Sequence, residues 1–349
     1  MNNRQSNIPP AAPAGHIYVN GYGFVDVDPR LQQERAIRKN AAVPGLSLVG
    51  ILAFSTVCPY VTTLLIKSVL AVLPLSGDYG SALALTQLRD LLSYVLAMGI
   101  PLLLAVAILR PQRGSIALRR FPSDGRLLSD SMIIALAVTV LLEILSNCVD
   151  GVFAYFRILE LRPYDLLPGT PGALGLYLLR VTVLPALLEE LLFRGVLLRS
   201  LRQFGDAFAL VASSAAFGLI HYSLTKDLSG FVLGLVLGYF VIRTRSVFTA
   251  VFSRFLTLLL PVVLRLLQHI APTTVYHIAA YGVKALILAA AIGVFILICR
   301  REGNAFVLSG SHTEIPISRK LRAYFWNVPM MLASLLWLSQ IVLHIHFIG

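Results

Sequence analysis

Leu184-Pro185-Ala186-Leu187-Leu188-Glu189-Glu190-Leu191-Leu192-Phe193-Arg194-Gly195 sets three charged side chains within six residues of an apolar run. Charges inside a membrane helix are costly and mark a functional site by default, so the meaning of this stretch depends on the solvent of the chain around it. Of the 349 residues 57% are hydrophobic and only 13% charged, with mean hydropathy +0.79. A soluble domain carries roughly 25% charged and about 45–50% apolar residues. Too little polar surface is left to coat a globule, so the chain reads as a polytopic membrane protein. The composition excludes a disordered chain, and three cysteines exclude a disulfide scaffold. Cys58, Cys148 and Cys299 all fall in apolar runs and are expected to behave as buried small hydrophobes.

About 20 apolar residues cross a bilayer as a helix. Runs of this kind lie near residues 44–66, 91–109, 131–149, 207–223, 228–242, 246–264, 278–299 and 327–347, and a long helical run over 172–204 carries the charged cluster. The expectation is an all-α bundle of about eight to nine membrane helices over 43–349, preceded by a cytoplasmic polar tail at 1–42. The tail, with Pro9, Pro10, Pro13, Gly21 and Gly23, lacks the apolar core of a signal peptide. It is read as loosely ordered, ending in a short basic helix from Leu31 to Lys39.

Basic residues recur in alternate loops: Arg35, Arg38 and Lys39; Arg110, Arg113, Arg119, Arg120 and Arg126; Arg199 and Arg202; Arg243 and Arg245; Arg300 and Arg301; Arg319, Lys320 and Arg322. Opposite loops hold isolated charges such as Arg157, Arg162 and Lys226. Such asymmetry places the N-terminus inside. It also accounts for the net charge of +12 through topology and anionic lipid, with no call for nucleic acid. Asp150–Thr170 reads as an outer loop, within which Phe153–Leu161 fits a short interfacial helix. Gly230, Gly234 and Gly238 recur on one helix face, the spacing of close helix packing.

Within the charged cluster, Glu190 and Arg194 are four apart, in the favourable order for an ion pair on one helix face. That pair reads as structural. Glu189 points about 100° away and is left as an available carboxylate, the state a general base needs; against this stands a plain helix end where charges meet water. Pro185, one turn earlier, loosens the hydrogen-bond ladder. The next helix supplies Phe217-Gly218-Leu219-Ile220-His221. A lone histidine on an apolar helix is more often a packing residue than a ligand. Here, however, Glu189 lies 16 residues before the turn at Gly205-Asp206 and His221 lies 16 after Gly205. At ~1.5 Å per residue both are ~24 Å from the turn in an antiparallel hairpin. Carboxylate and imidazole at one depth read as one site.

Glu189-Glu190-Leu191-Leu192-Phe193-Arg194 followed on the next helix by Phe217-Gly218-Leu219-Ile220-His221 resembles the paired signature of the CPBP family, the CAAX prenyl endopeptidase and bacteriocin-processing type intramembrane proteases. The likeness covers about residues 170–270, a CPBP-like core. It implies a helical membrane domain with a conical intramembrane cavity. It further implies Glu189 as the residue that activates a water, Glu190 and Arg194 as structural and orienting groups, and His221 as the group that binds a metal, zinc, or polarises the water. Phe217 opens the second motif.

The family's third motif, His-x-x-x-Asn or Asp, follows a turn that here reads Thr244-Arg245-Ser246-Val247, and the register then places Arg254 and Leu258 at its two positions. Neither binds zinc, and an arginine stays protonated. A catalytic zinc normally takes three protein ligands; this chain offers His221 and Glu189. Ser253 and Thr257 on the same helix are candidates to hold a water. His269, His277, His344 and His346 read as interfacial or packing residues, and His16 and His312 lie in polar segments. An unpaired arginine at mid-helix would be expensive, by about 2.5 kcal/mol or more, so Arg254 is expected to face the site and pair with Glu189. Depth counts against this: Arg254 is eight residues past Ser246, ~12 Å against ~24 Å for Glu189.

Two functions follow from the resemblance. One is an intramembrane endopeptidase of metallo- or glutamic type, with Glu189 as base and His221 as its partner, cleaving a membrane-borne peptide or protein. The other is a catalytically degenerate relative that binds a membrane protein partner in the same cavity. A transporter would show repeated halves with discontinuous helices, and none is seen. The resemblance and the charge pattern together imply a multi-pass protein of a bacterial plasma membrane.

Overall fold

A computed structural model describes residues 16–19, 22–26, 28–72, 79–109, 121–122, 124–160, 166–301, 308 and 315–347. Pro9, Pro10, Pro13, Gly21, Arg110, Arg113, Arg119, Arg120, Arg162 and His312, and the side chain of His16, lie outside the described residues.

The chain opens on a small antiparallel hairpin, β1 (His16–Val19) and β2 (Gly23–Asp26). Helix α1 (Pro29–Val72) follows and runs unbroken through residue 42. At ~1.5 Å per residue it is about twice the ~30 Å hydrocarbon thickness, so its first turns project beyond the apolar layer. The basic helix expected at 31–39 is therefore the exposed start of the first span: Arg35, Arg38 and Lys39 face outward, while Ile37 and Ala41 are fully buried against the bundle. Helices α2 (Tyr79–Leu109) and α3 (Gly125–Tyr155) come next. Asp124 caps α3, accepting from the Arg126 and Leu127 backbone N–H groups at 2.9 and 3.4 Å.

The interfacial helix expected over Phe153–Leu161 does not form. Helix α3 continues to Tyr155, and the chain then becomes a short strand, β3 (Ile158–Glu160). From β3, Glu160 Oε1 accepts the Leu224 N–H at 3.1 Å and so covers the start of the helix that begins there.

The long charged run is one helical path in several pieces: α4 (Pro171–Leu178), a wide π-helical segment Leu179–Val183, α5 (Leu184–Glu190), a second π segment Leu191–Leu198, α6 (Arg199–Leu201), and a final 3₁₀ turn Arg202–Phe204. π-bulges interrupt the regular ladder and frequently accompany functional sites. Gly205, at φ 114, makes the sharp turn into α7 (Asp206–Gly218). Then follow α8 (Leu224–Thr244), α9 (Val247–Ile270), α10 (Thr273–Arg301), α11 (Ile317–Phe325) and α12 (Val328–His344), closed by β4 (Ile345–Phe347), which pairs antiparallel with β3.

The fold is a helical membrane bundle. Among the described residues six helices are long and apolar enough to cross a membrane, or seven when α11 and α12, bent by 74°, count as one span. The run 171–204 and the short apolar α7 complete the bundle. Its core lies where α5, the second π segment, α7, α8 and α9 meet, and Leu192, Phe193, Leu197, Leu198 and Phe217 are fully buried there. Helix α10 packs at the edge against α3, joined by Lys284 Nζ donating to Glu143 Oε1 at 2.6 Å. The cysteines divide: Cys58 is buried as expected, whereas Cys148 and Cys299 are exposed on the outer faces of α3 and α10. An apolar run in lipid has no inner side reserved for small residues, so position in the bundle decides.

Short turns alternate between the two ends of the bundle. Helix α11 is tied to one end by Lys320 Nζ, which donates to Phe204 O at 2.7 Å, and by Arg319 Nε, 2.5 Å from Glu34 Oε1 near the start of α1. The Gly205 turn and the α8–α9 turn lie at this end, which carries Arg202, Arg243, Arg245, Arg319 and Arg322.

Candidate functional site

Two ion pairs form the site. The first is local. Arg194 Nη1 donates to Glu190 Oε1 at 3.1 Å and its Nε lies 3.1 Å from Oε2, with the two residues 1% and 0% exposed. Arg194 Nη2 also donates to Gly234 O on α8 at 3.4 Å. A cation that keeps its charge can be buried this deeply only with such partners. Gly234 also lets α7 pack closely on α8: a Cβ there would sit 3.0 Å from Ser214 Cβ.

The second pair bridges helices. Arg254 Nη2 on α9 donates to Glu189 Oε2 on α5 at 3.1 Å, and the two residues are 8% and 7% exposed. The other oxygen, Oε1, accepts from Tyr94 Oη on α2 at 2.9 Å. Both carboxylate oxygens of Glu189 are thus engaged. The two side chains meet despite the offset in helical rise, with the long arginine side chain of α9 reaching the carboxylate of α5.

Phe217 joins the two pairs. Its ring lies 4.1 Å from the Arg194 guanidinium carbon and 5.2 Å from that of Arg254, both within cation–π range. Phe193 and His221 meet it edge-on at 5.2 and 5.4 Å.

His221 is placed differently from its expected helical position. Helix α7 ends at Gly218, and His221 stands in the connection to α8, just before Tyr222 at φ 51. The helical rise therefore stops three residues before His221, and the left-handed Tyr222 then turns the chain into α8. His221 Nδ1 lies 3.1 Å from Gly218 O; since a carbonyl only accepts, Nδ1 carries the proton and Nε2 is the acceptor nitrogen. A Cβ at Gly230 would lie 2.9 Å from His221 Cε1, so this glycine makes room for the ring. Among the described residues His221 makes no hydrogen bond to Glu189; the two are linked through Phe217 and Arg254.

Leu258 is half-buried on α9. Ser253 is fully buried but committed to Ser131 at 2.9 Å, and Thr257 Oγ1 donates to Arg254 O at 2.8 Å, so neither hydroxyl is left to hold a water as its main partner. His269, His277 and His346 are exposed, and His344 Nδ1 bonds Gln340 O at 2.6 Å.

Zinc does not fit the groups present. Among the described residues no three His, Cys, Asp or Glu side chains converge. The Glu189 carboxylate holds a guanidinium, and the buried atoms there without a hydrogen-bond partner include Arg254 Nε, a donor that calls for an acceptor, beside Glu190 Oε2, which lies 3.1 Å from Arg194 Nε. Tyr94 is the site residue that sequence reasoning missed. It sits in an apolar span 95 residues before Glu189, and nothing in its neighbourhood separates it from a packing aromatic.

Fold and site together define a polytopic helical membrane protein organised about a buried Glu-Glu-x-x-x-Arg helix. Residues 171–260 match the family model described as type II CAAX prenyl endopeptidase Rce1-like. The resemblance drawn from the two motifs is thereby shown for the segment that carries Glu189, Arg194, Phe217, His221 and Arg254. No curated protein and no solved structure matches the chain.

Proposed function

We propose that this CAAX-protease-like membrane protein is a catalytically degenerate relative, which keeps the family's helical frame and uses it to bind a membrane-borne peptide or protein. The observation that carries this reading is the Arg254–Glu189 pair. A general base must hold a water and accept its proton. With Arg254 on one oxygen and Tyr94 on the other, both oxygens of Glu189 are occupied. Arg254 also stands where the family has a metal-binding histidine, so neither a metal nor a free carboxylate is left to activate the water.

The competing reading is an active, glutamate-centred endopeptidase. It is favoured by the retention of Glu189, Glu190, Arg194, Phe217 and His221 inside the matched segment. In that reading Arg254 withdraws when substrate enters, and Glu189 works with His221.

One experiment separates them. The purified chain, in bilayers, is given fluorogenic membrane-anchored peptides beside Glu189→Ala and Arg254→His/Leu258→Asn variants. The degenerate reading expects no cleavage by the parent, and about one bound zinc per chain in the double variant alone, measured by elemental analysis. Cleavage by the parent that Glu189→Ala abolishes overturns it. A metal-free double variant speaks against the register that aligns Arg254 with the family histidine. We further propose that the arginine-rich end faces the cytoplasm of a bacterial cell, a topology that reporter fusions at either terminus would test.

A further inference from the structure

Helices α3 and α10 run antiparallel at the edge of the bundle, and ion pairs join them at two levels. Where α3 begins and α10 ends, Arg301 Nη1 lies 3.9 Å from Asp130 Oδ2. The second pair is Lys284 Nζ donating to Glu143 Oε1 at 2.6 Å. Every residue between Asp130 and Glu143, and between Lys284 and Arg300, is uncharged. At ~1.5 Å per residue the second pair stands roughly 20–25 Å from the first. With the first pair at one membrane surface, the second is still inside the ~30 Å hydrocarbon layer.

Ionisable groups in membrane helices pair with one another and almost always face the bundle interior or a water-filled cavity. Here the pairing is made, but the pair faces outward: the Lys284 and Glu143 side chains are 21% and 48% accessible. Asn147, one turn further along the same face of α3, is exposed as well. A lone lysine can escape lipid by snorkelling to the interface. Lys284 is held by its partner, and the shorter glutamate side chain has no such reach. A half-exposed carboxylate at this depth calls for a protein cover.

The charges on the face say what covers it. An anion and a cation stand side by side, so the patch is complementary to itself. Turned by 180° about the membrane normal, a second copy sets Lys284 of the partner subunit against Glu143, and Glu143 of the partner subunit against Lys284. This reciprocity is the mark of an isologous interface. An ammonium has three N–H donors and a carboxylate about four acceptor positions, so each group gains a second partner without losing the first. A foreign helix would have to bring both a donor and an acceptor to the same depth.

We propose that the α3–α10 face is the interface of a two-fold homodimer within the membrane, closed by a neutral ring of two Glu143 and two Lys284 side chains. The interface uses no residue of the Glu189 site, so failure of the degenerate-relative reading leaves it standing.

The test counts subunits of the full chain, carrying one fluorophore at its N-terminus, by single-molecule photobleaching in phosphatidylcholine bilayers of falling protein-to-lipid ratio. The parent is expected to dimerise reversibly. Glu143→Gln should weaken dimerisation at least about tenfold, the loss expected from weakening charge-assisted hydrogen bonds. Glu143→Lys should abolish it, and the exchange variant Glu143→Lys/Lys284→Glu should restore it. Arg301→Gln, which breaks the other pair on the same two helices, should leave the dimer fraction unchanged. Thermal unfolding of each variant checks that the monomer is folded; Glu143→Gln, at a half-exposed position, is the variant that keeps the test open if Glu143→Lys does not fold. A parent monomeric at every ratio overturns the proposal and leaves the face to a foreign helix or to water. A dimer that responds equally to Arg301→Gln, or not at all to Glu143→Gln, overturns it too.

Discussion

Two buried ion pairs lie against the ring of Phe217, and they differ in how they are made. Glu190–Arg194 is formed by residues four apart on one helical path and is 0% and 1% exposed. Glu189–Arg254 spans 65 residues, joins α5 to α9, and keeps a tenth of each side chain accessible. The first pair is fixed by helix geometry and is inseparable from the fold. The second rests on how two helices pack, and it occupies the position where chemistry would take place. Adjacent glutamates are therefore held differently: Glu190 by its own helix, and Glu189 by α2 and α9, the engagement on which the proposed function rests.

The comparison is broken most severely at the local pair. Arg194→Ala leaves Glu190 fully buried without its cation, and losing one partner of a buried pair costs about 3–5 kcal/mol; the variant is expected to unfold or fail to accumulate, read by thermal unfolding in detergent. Arg254→Ala should cost less, about 2–3 kcal/mol at the low end of such losses, because Tyr94 still bonds Glu189 and the pair is partly accessible. Adding Glu189→Gln to Arg254→Ala should recover part of that loss, and a coupling below about 0.5 kcal/mol in the double-mutant cycle would show that the two side chains do not act as a pair.

Smaller effects sharpen the picture. Gly230→Ala forces the His221 ring to move, since the added Cβ would lie 2.9 Å from Cε1. Overpacking of this kind costs about 1–3 kcal/mol and should appear as a shift of the His221 imidazole resonances. Tyr94→Phe is the mildest. It removes one hydrogen bond to Glu189 and is expected to cost about 0.5–1.5 kcal/mol, with the Arg254 contact intact. A larger effect would make Tyr94 a principal support of the site.

Much of the site was legible before any coordinates. The Glu190–Arg194 pair follows from spacing alone. The cost of a mid-helix cation, together with the register of the third motif, pointed Arg254 at Glu189. The departures have local causes. His221 was placed by a helical rise that stops at Gly218, three residues before it, and the chain then turns into α8 at the left-handed Tyr222. The segment after Tyr155 became a strand through pairing with β4, near the far end of the chain, a partner no local pattern announces. Cys148 and Cys299 sit in runs as apolar as that of Cys58 and differ only in facing outward.

Composition, span length and charge asymmetry are properties of the chain read in order, and they sufficed for a multi-pass helical bundle and for the helix that carries the charged cluster. So did the four-residue spacing of the local ion pair, because helix geometry is the same in any surroundings. What joins Tyr94, Glu189 and Arg254 is the packing of α2, α5 and α9, and what sets Lys284 beside Glu143 is the packing of α10 on α3. Contacts between distant segments depend on the summed packing of the whole bundle and on close approaches permitted by Gly230 and Gly234. Only the assembled structure expresses those terms, and in this protein they bring Tyr94 and Arg254 onto the two oxygens of Glu189.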